Sequence, residues 1–289
     1  MTNLTDQNII YLLTDTEAGF SLKEFLTRKG ISRHFLIKLR NNDKVTVDGH
    51  IQKYWLPLKA GQKIVLNPYL DEPANIEPVE MPLEIIYEDH DYIAINKPFN
   101  VATHPCAAHL TNTIANGVHY YLSCKGYQSL HPVNRLDKTT SGVVVFGKHP
   151  LAQHHIFQQT IQKEYVALVE GHVKENELLL NYPIKKIDGP SIRRIVAEDG
   201  KEAQTKYTLI STGDDRSLLR VELFTGRTHQ IRVHLAHIGH PITGDFLYGT
   251  ENTPRLFLHS FRYSFLSLRD NHKVEIEAPI PKSFYDYLY

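Results

Sequence analysis

Apolar residues recur in two rhythms along the chain, and the change from one to the other divides it. From Ser21 the apolar residues Leu22, Phe25 and Leu26 follow helical spacing, with Ser21 and Glu24 set as a capping box. Ser32 opens a second such stretch, with Phe35, Leu36 and Leu39 on one face and Arg33, Lys38 and Arg40 placed for another. Lys44 to Ile51 then alternates and turns like a hairpin, and Lys63 to Leu66 predicts a further short strand. Two small helices followed by strands predict a compact α/β module over residues 15–66. Four prolines, at 68, 73, 78 and 82, exclude regular helix from the next stretch and predict an extended linker over 67–82.

Beyond the linker the period shortens to that of strands. Strand patterns run over Leu83–Tyr87, Tyr92–Ile95, Val143–Phe146, Tyr165–Val169, Tyr207–Ile210, Leu218–Phe224, Ile231–Leu235, Leu256–His259 and Val274–Ile276. Helical patterns fit Leu110–Cys124 and Leu151–Gln162, and a helix over His229–Ile238 competes with the strand at Ile231–Leu235. Strands with helices at irregular intervals predict an α+β domain over 83–289, with a mixed, mostly antiparallel sheet flanked by helices and loops.

Charge sharpens this division. Lys plus Arg equals Asp plus Glu, 32 each, so the total indicates no partner. Yet Ser21 to Val65 carries ten Lys/Arg against three Asp/Glu, a net of +7, while Pro68 to Asp91 carries eight Asp/Glu and no Lys/Arg. A basic module beside an acidic connector fits a phosphate backbone better than most protein surfaces. No apolar run approaches membrane-spanning length, and Met1 to Ile10 lacks a signal-peptide pattern, so a cytosolic protein without a membrane partner is expected. Cys106 and Cys124 are the only cysteines, and they form neither a disulfide framework nor a thiolate zinc knot.

Candidate chemistry is densest at His131-Pro132-Val133-Asn134-Arg135-Leu136-Asp137-Lys138-Thr139-Thr140-Ser141-Gly142. Asp137 stands between Arg135 and Lys138 on a turn that enters an apolar run, an arrangement that favours a held, ionised carboxylate suited to act as nucleophile or base. A loop-holding aspartate would show the same charges. Phe224 to Leu235 gathers Arg227, His229, Gln230 and Arg232 after a glycine turn, a donor set suited to phosphate or carboxylate. His229, His234, His237 and His240 lack metalloprotease spacing, and His104 and His109 lack an evident fourth ligand, so no metal is expected. Tyr165 heads an apolar strand, where it could stack on a base or serve as an ordinary strand residue.

Taken in order, these segments resemble the RluA-type family of RNA pseudouridine synthases. The resemblance runs through Ile95-Asn96-Lys97-Pro98, His104-Pro105, Arg135 to Gly142, Lys163-Glu164-Tyr165 and Thr225 to His234. It continues through Gly239-His240-Pro241-Ile242, Gly244-Asp245 and Tyr248-Gly249. It implies that uridine in ribosomal or transfer RNA is isomerised to its C-glycoside without a cofactor, since the reaction has no redox change and no group donor. Asp137 is implied as the catalytic aspartate, Tyr165 as the residue stacking on the target base and Arg232 as the partner of the aspartate. Arg135 is implied at a phosphate, helping to evict the nucleotide. Lys138, Asn96, Lys97, His104, Arg227, His229 and Gln230 are expected at the RNA.

The module at 15–66 is similar to the small RNA-binding domain shared by a ribosomal protein and tyrosyl-tRNA synthetase, the S-four type, with Lys23, Arg33, Lys38 and Arg40 toward RNA. Two positions depart from the family. Asn134 stands where histidine is common, which touches that residue's role in the flipped duplex, and Asn100 stands where glycine is frequent, in a turn asparagine tolerates. A monomer is expected. A non-catalytic RNA chaperone on the same fold and a metal-dependent hydrolase are the alternatives.

Overall fold

The computed structural model describes residues 8–70, 75–106, 110–249 and 253–289. At its amino end, β1 (Ile9–Leu12) is followed by α1 (Leu22–Arg28), α2 (Arg33–Asn41), β2 (Val45–Val47) and β3 (Lys63–Leu66). The capping box at α1 is formed: Ser21 Oγ accepts from the Glu24 N–H at 3.2 Å, and Glu24 accepts from the Ser21 N–H at 2.8 Å. Phe35, Leu36 and Leu39 of α2 are buried against α1 residues and strand residues such as Ile64. The strands pair antiparallel in the order β1-β3-β2, so the module begins ahead of the expected start at residue 15. Ile-Ile-Tyr-Leu of β1 buries Ile9 and exposes Ile10, a difference that two adjacent isoleucines cannot advertise.

The connector has no regular element among its described residues, as the prolines require, but it is strapped down. Leu70 enters the amino-terminal core, and the Tyr69 hydroxyl donates to the His90 carbonyl at 2.6 Å. Asn116 donates to the Glu77 carbonyl at 2.8 Å, and His119 meets the Ile76 carbonyl at 2.6 Å. Pro73, Asp71 and Glu72 of the predicted linker lie outside the described residues.

The large domain contains β4 (Ile85–Glu88), β5 (Tyr92–Lys97), α3 (Ile114–Cys124), β6 (His131–Pro132), β7 (Ser141–Gly147), α4 (Pro150–Phe157) and β8 (Gln162–Glu170). It continues through β9 (Glu177–Asn181), β10 (Ile184–Lys186), β11 (Arg194–Val196), β12 (Gln204–Thr212) and β13 (Arg216–Leu223). Last come α5 (Gln230–His237), β14 (Leu258–Leu266), β15 (Lys273–Glu277) and α6 (Ser283–Asp286). The sheet order is β4-β5-β7-β14-β8-β13-β12-β9, with β15 on β14 and β6 on β7. Among the strand pairs of the described residues only β7 with β14 is parallel, so the fold is the α+β class with the mixed, mostly antiparallel sheet that the pattern predicts.

Both faces of the sheet are covered. Val144 and Phe146 of β7 enter one core and Val143 and Val145 the other, which explains its unbroken apolar run. The strand expected at Ile231–Leu235 is instead α5. Arg232 and His234 are as buried as their apolar neighbours, so alternation in polarity there does not report alternation in burial. Strands β9 to β11 were not predicted; β10 and β11 are only three residues each.

The parallel contact of β7 with β14 is brief, with Ser141 opposite His259 and Gly142 opposite Ser260. Gly142 has a φ of +109°, and a Cβ there would lie 2.1 Å from the Ser260 carbonyl oxygen. Only glycine meets both conditions. Gly142→Ala is therefore expected to destabilise the fold by more than about 2 kcal/mol, measured as the urea midpoint at unchanged m-value. A midpoint within error of the parent would show that the strands can part without cost.

One buried polar node joins the modules. Asp91 accepts two bonds from Arg269 at 2.9 Å each and one contact from His149 Nε2 at 2.9 Å. His149 Nδ1 accepts from the Ala152 N–H at 3.1 Å as the cap of α4, so its proton sits on Nε2 and points at Asp91. Burial works to raise Asp91, but His149 and Arg269 outweigh it and hold the carboxyl below its usual range. Arg269 also donates to the Asn8 carbonyl at 3.0 Å, and Leu151 of α4 packs inside the amino-terminal core.

Candidate active site

A cleft of about 540 Å³ opens where the loop before β7, the start of β8 and the amino end of α5 meet. The loop's shape is set locally. Thr103 Oγ1 donates to the Leu136 carbonyl at 2.8 Å and accepts the Leu136 N–H at 3.2 Å, while the Thr140 N–H closes a turn on the Asp137 carbonyl at 3.0 Å. Asn134 imitates a strand neighbour, donating to the Val143 carbonyl at 3.1 Å and accepting from the Val145 N–H at 2.7 Å. This gives the departure at 134 a structural duty: it anchors the loop to β7.

Asp137 lies in the cleft, its side chain 38% exposed. Arg232 Nη1 stands 3.4 Å from Asp137 Oδ2, the contact expected for it. Its stronger partner is one the sequence reading did not assign. Asp245 takes Arg232 Nε and Nη2 in a two-point grip at 2.7 Å each, with no exposure of the carboxylate. Asp245 also accepts the N–H groups of Leu247 and Tyr248 at 3.0 and 3.2 Å. Burial works against the charge on Arg232, but the two carboxylates outweigh it and raise it above the ordinary guanidinium range. The sequence carries Gly244-Asp245 only as one segment of the family resemblance, with no role for the aspartate.

His229 was expected at the RNA and faces the aspartate as well, with Nε2 3.6 Å from Asp137 Oδ2. It caps α5 in the left-handed region, with φ +58°. The Tyr248 hydroxyl accepts the Arg194 N–H at 2.8 Å and stands 2.9 Å from His229 Nδ1. Burial pushes His229 down, against the pull of Asp137.

Tyr165 reaches the same cleft from β8, with its ring against the core and only 9% of the residue exposed. Burial pushes its hydroxyl up to about 12, so it stays a phenol at neutral pH. Lys163, two residues earlier on β8, also lines the cleft. No carboxylate partner is present among the described residues, and burial lowers its ammonium. Arg135 and Lys138 are exposed at the rim, and His104 and Arg227 also line the cleft.

Three residues expected at the RNA are engaged within the protein itself. Lys97 is fully buried, and its Nζ donates to the carbonyls of Pro98, Val101 and Lys138 at 2.9, 2.7 and 3.1 Å. Burial pushes Lys97 down to about 7, yet three acceptors require three protons, so the geometry holds the ammonium. It braces the Asp137 loop from behind and cannot touch RNA. Gln230 borders the cleft, but it is 2% exposed and fully engaged by Thr225, Arg227, Gln204 and Thr205. Asn96 gives its amide to Glu84 at 3.0 Å and lines no part of the cleft.

Asn100 adopts φ +64°, the left-handed turn anticipated for it. Lys23, Arg33, Lys38 and Arg40 are on the amino-terminal helices, apart from the cleft lining. Among the described residues no three His, Cys, Asp or Glu side chains converge as metal ligands, and His109 lies outside them.

The family model described as RNA pseudouridylate synthase matches residues 91–237. The uncharacterized RNA pseudouridine synthase YjbO of Bacillus subtilis is 33% identical over 275 residues, covering 91% of this chain and 96% of that one. Ribosomal large subunit pseudouridine synthase D of Escherichia coli is 36% identical over 219 residues, 74% of this chain and 67% of its own. Among solved structures, human RNA pseudouridylate synthase domain containing 1 shares the fold, with a TM-score of 0.60 at 24% identity over 72% of this chain and 89% of that one.

Proposed function

The chain belongs to the RNA pseudouridylate synthase family, and from that premise we propose that Asp137 is the group through which it isomerises uridine in ribosomal or transfer RNA. The observation carrying this reading is the meeting of Asp137, Tyr165 and Arg232 in one cleft. The reaction breaks the bond from sugar to uracil N1, turns the freed ring and rejoins it through C5, releasing the C5 hydrogen. No atom is gained from outside.

A stacked base cannot turn, so the nucleotide must leave its helix, at a cost of a few kcal/mol. Arg135 and Lys138, exposed at the rim, offset that cost by holding phosphates. Tyr165 supplies a flat face for the everted base. Arg232 and the His229 ring keep Asp137 Oδ2 turned to the cleft. Both contacts are longer than strong hydrogen bonds, which leaves the oxygen available to substrate.

The amino-terminal module is the S-four-type RNA-docking unit in this reading, supported by its two-helix layout and its charge of +7 over Ser21 to Val65. Ribosomal RNA is favoured over transfer RNA by the name of the E. coli relative. Action as a monomer in the cytosol is part of the proposal. Pseudouridine mapping of ribosomal and transfer RNA from cells with and without the gene tests the substrate. A site lost on deletion and restored by the parent gene, but not by Asp137→Ala, is the expected result; an unchanged map would reject it.

A further inference from the structure

We propose that Trp55 is a stacking platform for an unpaired base of the RNA, resting on the docking role of the amino-terminal module stated above. Trp55 is the only tryptophan in the chain, and it is 68% exposed. The loop between β2 and β3 that carries it is not loose. The N–H groups of Leu22 and Lys23 donate to the carbonyls of Leu56 and Tyr54 at 3.2 and 2.9 Å, and Leu58 is buried in the core. Tyr54 turns inward against that core, and burial pushes its hydroxyl up to about 12. The backbone on both sides of the indole is therefore fixed while the ring remains outside.

The neighbours of the ring indicate what it meets. Lys53 Nζ lies 5.2 Å from the ring centroid, and Ile51 and Leu56 are exposed beside it in sequence. Lys23 in the first turn of α1 is exposed, and Arg40 at the end of α2 is close enough for its charge to act on Tyr54. An indole with Lys53 beside it, on a module rich in cations, offers a π-face for a base and charge for the adjoining phosphates. A second copy of this module would bring another +7 against the first. Single-stranded or looped RNA supplies both missing features, a negative backbone and a base face not already stacked in a helix. The chain would then hold RNA at two aromatic points, Tyr165 in the cleft and Trp55 on the module.

Having one tryptophan, the full-length protein reports this contact by its own emission. Titration with a single-stranded RNA dodecamer is expected to quench the emission by roughly half, a blunt duplex of the same sequence much less, and Trp55→Ala is expected to weaken dodecamer binding about tenfold while Trp55→Phe restores most of it. Dodecamer binding that leaves the emission and the Trp55→Ala affinity unchanged overturns the platform. So does self-association that Trp55→Ala abolishes and RNA does not disturb. A combined Lys23→Ala, Arg33→Ala, Arg40→Ala variant separates the two readings. If it alone weakens binding, the module docks RNA without the indole; if neither it nor Trp55→Ala does, the docking role falls as well.

Discussion

Asp137→Asn is expected to reduce release of the uridine C5 hydrogen from RNA by at least about 10⁴-fold while leaving RNA affinity within about twofold. The amide keeps the side chain's shape and can still accept from Arg232 Nη1. It cannot act as nucleophile or base. Removing a negative charge from a cleft that receives phosphates does not weaken binding, and any change should be toward tighter association. Binding is measured by filter retention and chemistry by single-turnover release of tritium from C5-labelled RNA. Release at even a tenth of the parental rate would place the chemistry on another group.

Breaking the grip of Asp245 on Arg232 should have the second-largest effect, on two observables at once. Asp245→Asn leaves a buried guanidinium with no full partner at its main contact, a loss of about 3–5 kcal/mol and a fall in Tm on the order of ten degrees. Turnover should fall about a hundredfold or more, since Arg232 loses the anchor that aims Nη1 at Asp137, while KM changes little. Arg232→Lys should match that loss of turnover, because one ammonium cannot hold two points on Asp245 and reach Asp137. Replacing both residues together, Arg232→Met with Asp245→Leu, should recover much of the stability and none of the activity. Activity in the doubly apolar variant would mean that Arg232 only supports the fold.

The parts of this molecule legible in its sequence are those whose signals are local. Ser21 and Glu24 cap a helix within four residues, and Val143 to Phe146 has to be buried on both sides of a sheet because no residue in it can face water. Asp137, Tyr165 and Arg232 were legible as a family pattern, and their meeting in one cleft is a matter of tertiary structure. The partnership of Arg232 with Asp245 was not legible, because thirteen positions and a loop separate them and the contact depends on how α5 packs. Lys97 misled for a physical reason. Lysine next to proline reads as surface, but here three backbone carbonyls replace water around the ammonium. Helix α5 was ambiguous because buried polar partners erase the contrast on which periodicity depends.

With Leu151 lodged in the amino-terminal core and Arg269 clamped between Asp91 and the Asn8 carbonyl, the small module is keyed to the large one rather than trailing on a leash. A strand gripped on the small module would arrive at Asp137 after one set span. The enzyme would then choose its uridine partly as a ruler does, by distance from a landmark, independent of the letters in between.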